Sequence, residues 1–514
     1  FCAYLLAYKI TQSRPASFFA AYIFMNCPYF AAHRGHPQLQ FAFWIPLAIL
    51  AAITFVEKRS WRSATSIGAC VAGAFFCAVY YSMYCYFTVG VVLLGCFILR
   101  PRSWRLRDPL TLIIANIPWL LMLAPAALAY QQTRDAMGTN PDFVLRRHSP
   151  SLAAFLAPQR VGLFWNSYIP NISSMEGYLF FGYLALLLAI ITASIWGARL
   201  WRAPEDRVSH IIRRTAFISA FVATIYCTVR TYYFSLHPGS RTLHHIAWVQ
   251  SETFWVLTLA ALALLWTLAR SRSSETFSPQ EWIGLLIFVL IVTIFATLGI
   301  KDSGRVNVYA PELYRYIAML PGFEGLRGLA RMGIIPILVF ILIAAAGISH
   351  VLNQRGLSST PKAWGVVGIL SLLSAFELQT SQQLPARAVP PPPVYEFASK
   401  LPTNEAIIGI PTSSAISNGR NFMFWNSLHM IGLRKAKNRV VNGFSGKAPA
   451  FHSFHSQHLD KFPSRTALSL MGSIVGVRYV ITNSSFYGTG YTRRIQALVK
   501  KVPDEVEVLS LSLI

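Results

Sequence analysis

Two stretches of the chain gather side chains suited to holding an anion. The first is Phe30-Ala31-Ala32-His33-Arg34-Gly35-His36-Pro37-Gln38-Leu39-Gln40, in which His33 and His36 stand three apart, beside Arg34, Gln38 and Gln40. Imidazole and guanidinium groups together suit a phosphate or diphosphate. Two histidines also suit a metal, but no carboxylate lies nearby in sequence to complete a site. The bland reading is a wet polar turn, with Pro37 ending it and pre-setting the next helix. The second stretch, Leu320 to Arg331, carries Arg327 and Arg331 four apart. On a helix that spacing puts both guanidinia on one face, where they would grip a phosphate head group. Its bland reading is two cations snorkelling at a span end.

Acids are sparser. Glu176 precedes an apolar run, where it serves equally as a substrate contact or as the complement of a helix N-terminus. Glu252 falls within an apolar run, which makes it a functional candidate or the partner of Arg230 or Arg241. Asp135, Asp142, Arg146, Arg147, His148 and Arg160 populate one long connection, and His237, His244 and His245 another. No nucleophile-elbow, zincin, phosphate-loop or dinucleotide fingerprint stands in its required context.

The elements that position these groups are read from hydropathy. Of 514 residues, 54% are hydrophobic and 13% charged, against roughly 25% charged in soluble proteins. Apolar runs recur at 16–29, 39–56, 64–81, 84–99, 110–130, 177–198, 213–229, 247–269, 281–300, 332–351 and 364–378, after a partial one at 1–8. The expected fold is therefore an α-helical polytopic membrane protein with about 11 transmembrane helices plus a partial one. The run from Ala64 to Leu99 exceeds one span, and the tyrosines at Tyr80, Tyr81 and Tyr84 suit an interface where it is cut. The chain opens at Phe1 inside an apolar run and reads as a fragment lacking its N-terminal part. The seven cysteines lie in or beside spans and read as small buried apolar residues.

The net charge is +25, and much of the excess sits in short connections: Lys58, Arg59 and Arg62; Arg100, Arg102, Arg105 and Arg107; Arg199, Arg202, Arg207, Arg213 and Arg214; Arg270 and Arg272. The positive-inside rule accounts for these without a nucleic-acid partner and makes them cytoplasmic. The loop at 30–38, the loops 131–176, 230–246 and 301–331, and everything after about 380 then fall on the outer side. Residues 1–380 form the membrane domain, 381–393 a stiff linker containing Pro390 to Pro393, and 394–514 a small extracytoplasmic α/β domain. Its expected strands are 407–410, 440–441, 477–482 and 506–511, with helices over 465–473 and 492–501.

The order of parts resembles bacterial polytopic glycosyltransferases of the GT-C class, especially the long YfhO-like membrane proteins. The resemblance rests on Gly35 to Gln40 leading into Trp44-Ile45-Pro46-Leu47-Ala48, on Glu176-Gly177-Tyr178 with Gly182, and on Leu320 to Arg331. In the C-terminal part it rests on Val441 to Gly446 and Gly476 to Ile481. Gly328-Leu329 departs from the Val-Pro expected before the Ala-Arg pair. The resemblance implies transfer of a sugar from a polyprenyl-phosphate donor to an extracytoplasmic acceptor, in a bacterial inner membrane. It implies that the catalytic acid lies in a first outer loop preceding Phe1, leaving Glu176 and Glu252 as weak candidates. His33, Arg34, His36, Gln38, Arg327 and Arg331 would bind the lipid-linked donor. No metal ligand is assigned, and a divalent metal stays open. The rival reading is a non-enzymatic transporter or scaffold for envelope polysaccharide or lipid. Membrane lipids are partners on either reading.

Overall fold

The computed structural model describes residues 1–137, 178–202, 207–236, 242–270, 277–298, 328–357 and 360–380, with short pieces between them. Further on it describes 393–403, 405–410, 429–441, 465–473, 477–482 and 489–501, with single residues between. Two compact units result: Phe1–Leu128 with Thr139–Gln382, and Ala129–Gly138 with Gln383–Ile514.

The first unit is helical. Its elements are α1 (Cys2–Thr11), α2 (Arg14–Asn26), α3 (Pro28–Ala32), α4 (Trp44–Lys58), α5 (Trp61–Cys77), α6 (Val79–Leu99) and α7 (Arg107–Met137). After these come α8 (Tyr183–Arg202), α9 (Arg207–Leu236), α10 (Thr242–Arg270), α11 (Pro279–Leu298), α12 (Ile334–Gln354) and α13 (Pro361–Glu377). Among the described residues eight helices are long and apolar enough to cross a bilayer. The chain is a multi-pass membrane protein. Helices α5 and α13, with 17 residues each, reach only about 25 Å at 1.5 Å per residue. Helix α12 is the central one: Ile335, Ile337, Leu338, Ile341, Leu342 and Ala345 are all at most 1% exposed.

Helix ends sort into two sets. At the basic ends, Arg59 donates to Ser103 Oγ at 3.1 Å and pairs with Asp108 at 3.5 Å. Burial pushes the Arg59 guanidinium down from its usual range and Asp108 opposes that. Arg100 stacks 3.5 Å over the Phe277 ring, and Trp196 Nε1 donates to the Gln280 carbonyl at 3.0 Å. The short connections rich in Lys and Arg thus gather at one end of the bundle, as alternation of spans requires.

Two details differ from the hydropathy reading. The break between α5 and α6 falls at Ala78, whose backbone is extended (φ −160°, ψ 111°). Tyr80, Tyr81 and Tyr84 therefore enter the first turns of α6, and Tyr81 and Tyr84 are 0% exposed. Tyr81 and Tyr84 are core side chains rather than an interfacial belt, because each of these two hydroxyls finds a carbonyl inside the bundle. The span expected from 177 starts at Tyr183. Among the described cysteines all are free, with Cys27, Cys70, Cys85 and Cys96 buried.

In the second unit, α14 (Pro393–Ala398) leads into a three-stranded parallel sheet. Its strands are β1 (Ala406–Ile410), β2 (Arg439–Val440) and β3 (Val477–Thr482), with β1 central. The run Ala-Ile-Ile-Gly-Ile is buried throughout, as a strand covered on both faces requires. Ile407 packs with Tyr395, Leu433 and Ile481, whereas Ile408 and Ile410 pack with Phe462, Ala467 and Met471. Helix α15 (Arg465–Ser473) supplies the latter face, and α16 (Thr489–Lys501) follows β3. The strand expected at 506–511 lies outside the described residues.

Candidate functional site

At the ends opposite the basic ones, the two anion-suited stretches meet. Helix α2 stops at Asn26, where Cys27 turns extended (φ −62°, ψ 141°) ahead of Pro28. The short α3 then delivers Tyr29 into the bundle and ends at His33. Pro37 opens a 3-10 turn, Pro37–Phe41, so its preset φ serves the next element as expected. Gln40 Nε2 donates to the carbonyls of Phe30 at 3.2 Å and His33 at 3.0 Å, closing the loop on itself. One of the two loop amides is thereby structural.

Three tyrosines fasten this loop to the segment before α12. Tyr81 donates to the Leu39 carbonyl at 2.5 Å, Tyr29 to the Arg331 carbonyl at 3.1 Å, and Tyr84 to the Gly328 carbonyl at 3.2 Å. The Tyr29 and Tyr81 hydroxyls lie 3.4 Å apart. Residues 302 positions apart in sequence are so held at one place. Ala330 N donates to the His148 carbonyl at 3.1 Å, which brings in the long loop as well.

His33 is 2% exposed and Arg331 3%. The His33 ring lies 4.4 Å from Tyr29, 6.1 Å from His36 and 6.0 Å from Tyr178. Its Nδ1 sits 2.8 Å from the Tyr29 carbonyl oxygen. A carbonyl only accepts, so Nδ1 carries a proton, and in the neutral ring Nε2 is the basic nitrogen. The Arg331 guanidinium lies 5.1 Å from the Tyr80 ring centroid, within cation–π range. Tyr29 thus touches both His33 and the backbone of Arg331. An imidazole and a guanidinium on one tyrosine scaffold can bind and charge-stabilise a phosphate oxygen.

The other predicted residues fall around this core. Arg34 is exposed; His36 and Gln38 are half-buried. Arg331 occupies a 3-10 turn, Leu329–Gly333, preceded by a non-helical Gly328 (φ −121°, ψ 73°). Arg327, expected to share a helical face with Arg331, lies outside the described residues. Glu176 does too. Glu252 belongs to α10, and its side chain is outside the described residues. Among the described residues, no group of three or more His, Cys, Asp or Glu is placed to hold a metal ion, so no residue is assigned to one.

Sequence reasoning missed Glu377, the last residue of α13. Its carboxylate is 9% exposed and accepts from Trp165 Nε1 at 3.1 Å, from Leu184 N at 3.1 Å and from Tyr183 N. It caps the N-terminus of α8, the duty considered for Glu176. Gly182 makes this possible: its φ is +99°, and a Cβ there would stand 2.9 Å from Glu377 Oε2. The signal in the sequence was an acid closing an apolar run that ends beside a polar segment. The scaffold tyrosines were visible only as aromatics.

A family profile described as a domain of unknown function (DUF6311) matches residues 1–250. That stretch includes the loop at 30–40, the scaffold tyrosines and α1 to α9. No curated protein matches the chain, and no solved structure does.

Proposed function

We propose that this chain is a membrane glycosyltransferase of the GT-C class, which moves a sugar from a polyprenyl-phosphate donor to an acceptor outside the cytoplasm. The observation that carries the reading is the meeting of His33 and Arg331 on Tyr29, at the bundle end opposite the basic connections. On the positive-inside rule that end is extracytoplasmic. A polyprenyl phosphate keeps its tail in lipid and its sugar in water, so its phosphate must be held at such an end. Departure of the sugar leaves charge on the phosphate, which guanidinium and imidazole groups stabilise as it develops. His36 and Arg34, less buried, would meet the donor as it enters.

The test uses membranes containing the full-length protein and a radiolabelled polyprenyl-phosphate sugar. His36→Ala and Arg34→Ala, both outside the buried core, are expected to lower turnover at least tenfold with unchanged membrane levels. Arg331→Lys keeps the charge but loses the planar fork, and is expected to be more impaired than either. Turnover unchanged in all three would remove these residues from the site.

A further inference from the structure

A second site lies at the other end of the bundle. A cavity of about 260 Å³ opens among α1, α8, α11, α12 and α13. Its lining is graded along the helices. Leu188, Ile191 and Ile195 on α8, with Val366 and Leu370 on α13, form an aliphatic stretch toward mid-span. From Leu188 to Arg199 is roughly 16 Å along α8. At the basic end the lining turns polar, with Arg199, Gln280, His350 and Asn353. Among the described residues no carboxylate lines it. Glu281, beside Gln280, is turned away into a reciprocal cap in which Ser278 N donates to its Oε2 at 2.7 Å and Ser278 Oγ accepts from its N at 3.2 Å. The His350 Nε2 atom is buried and has no hydrogen-bond partner among the described residues.

We infer that this cavity is a binding site for one anionic phospholipid of the leaflet at the basic ends. Its phosphate sits at Arg199 with His350 Nε2 and Asn353 as further polar contacts, and one acyl chain runs toward mid-span over Ile195 and Ile191. Both halves of the ligand are matched: the basic, polar mouth to the phosphate, and the aliphatic depth to the chain. The opening lies within the membrane-embedded bundle, where Ile191 and Val366 are 44% and 45% exposed, so a lipid reaches it from the bilayer. A zwitterionic lipid fits the aliphatic part equally but presents the mouth with a second cation. The site stands at the end of the molecule opposite His33 and Arg331 and is independent of the proposed transfer reaction.

The full chain in nonionic detergent, titrated with dioleoyl phosphatidylglycerol and dioleoyl phosphatidylcholine and read by native mass spectrometry, tests this. Phosphatidylglycerol is expected to bind about fivefold more tightly, the worth of one basic residue at a membrane surface. Arg199→Ala should abolish that preference and Arg199→Lys retain it. Arg202→Ala, on the same helix but outside the lining, should leave it intact. Ile191→Trp or Val366→Trp, which fill the aliphatic part from its lipid-facing rim, should weaken both lipids tenfold or more. Equal affinity for the two lipids, equal loss in Arg202→Ala and Arg199→Ala, or binding unaffected by both tryptophan variants would each overturn the assignment.

Discussion

Single residues at the α8 end show how one buried acid is tolerated. Glu377 meets three donors, two of them N–H groups that the first turn of α8 would otherwise leave unmet. Glu377→Ala is expected to lower the thermal midpoint of the detergent-solubilised chain more than Glu377→Gln, which keeps an acceptor and loses only the charge. Equal effects would mean that charge alone matters. Gly182→Ala, forced into a left-handed conformation and against the carboxylate, should cost roughly 1–3 kcal/mol by the same assay. In the second unit, Tyr395 Oη lies 2.9 Å from His429 Nδ1, and burial pushes the His429 imidazole down to about 4. The unfolded chain takes up this proton near pH 6.5, while the folded one refuses it until about 4. Stability of this unit therefore falls as pH drops through that window, by about 3 kcal/mol in all, and is unaffected by His429 above it. Pulse proteolysis of the full chain at pH 7 and pH 5 should show the C-terminal unit more readily cleaved at pH 5, and His429→Gln should flatten the difference.

Helices pack here through glycine and buried polar bonds as much as through aliphatic faces. Helix α7 is 6% buried over its apolar window, yet it is seated on α5 by specific contacts. Asn116 donates to the Ala64 carbonyl at 3.2 Å, Thr65 to the Ala115 carbonyl at 3.1 Å, and Trp119 to Thr65 Oγ1 at 3.0 Å. Gly68 lets them approach: a Cβ there would stand 2.0 Å from Asn116 Oδ1 and 2.4 Å from the Trp119 ring. Gly68→Ala should lower the thermal midpoint. Gly90→Ala on α6, where an added Cβ meets nothing within 4 Å, should hold or raise it, since alanine is the better helix former by roughly 0.5–1 kcal/mol. A midpoint unchanged by Gly68→Ala would mean that α7 is not seated through this contact. These pairings were beyond a sequence reading. Hydropathy finds α4, α8, α11 and α12 because a bilayer demands long apolar runs, and short β-branched runs find β1 and β3. Hydropathy says nothing of which tyrosine hydroxyl meets which carbonyl. The α5–α6 break shows the same limit: Tyr80, Tyr81 and Tyr84 have interface chemistry, but the helix breaks at Ala78, whose backbone is extended. His33 and Arg331 were legible as anion-binding residue types, whereas their common contact with Tyr29 depends on tertiary packing across 302 positions.

For the molecule as a whole, one question links the two sites: which membrane face each belongs to. The described helices alternate, so Arg59, Ser103 and Asp108 meet at one end while Leu39, Gly328 and Tyr183 stand at the other. Every span between the two sets must be crossed for this pattern to hold, including the 17-residue α5. If that helix failed to cross, α4 and α6 would run in opposite directions, Ser103 would stand at the far end, and the Arg59 contact with it could not form. On the positive-inside rule the Arg59 end is expected to be the cytoplasmic one. With Cys2, Cys77 and Cys227 replaced by serine, single cysteines at exposed Arg34 and exposed Arg102 read both statements at once, because the remaining native thiols Cys27, Cys70, Cys85 and Cys96 are buried, out of reach of a membrane-impermeant maleimide. In intact cells Arg34→Cys is expected to label and Arg102→Cys to stay unlabelled until the membrane is permeabilised. The reverse pattern would keep the alternation but turn the molecule over, placing the His33 and Arg331 cluster inside and removing the basis for an extracytoplasmic donor site. Labelling of both positions from one side would contradict the arrangement of the spans itself.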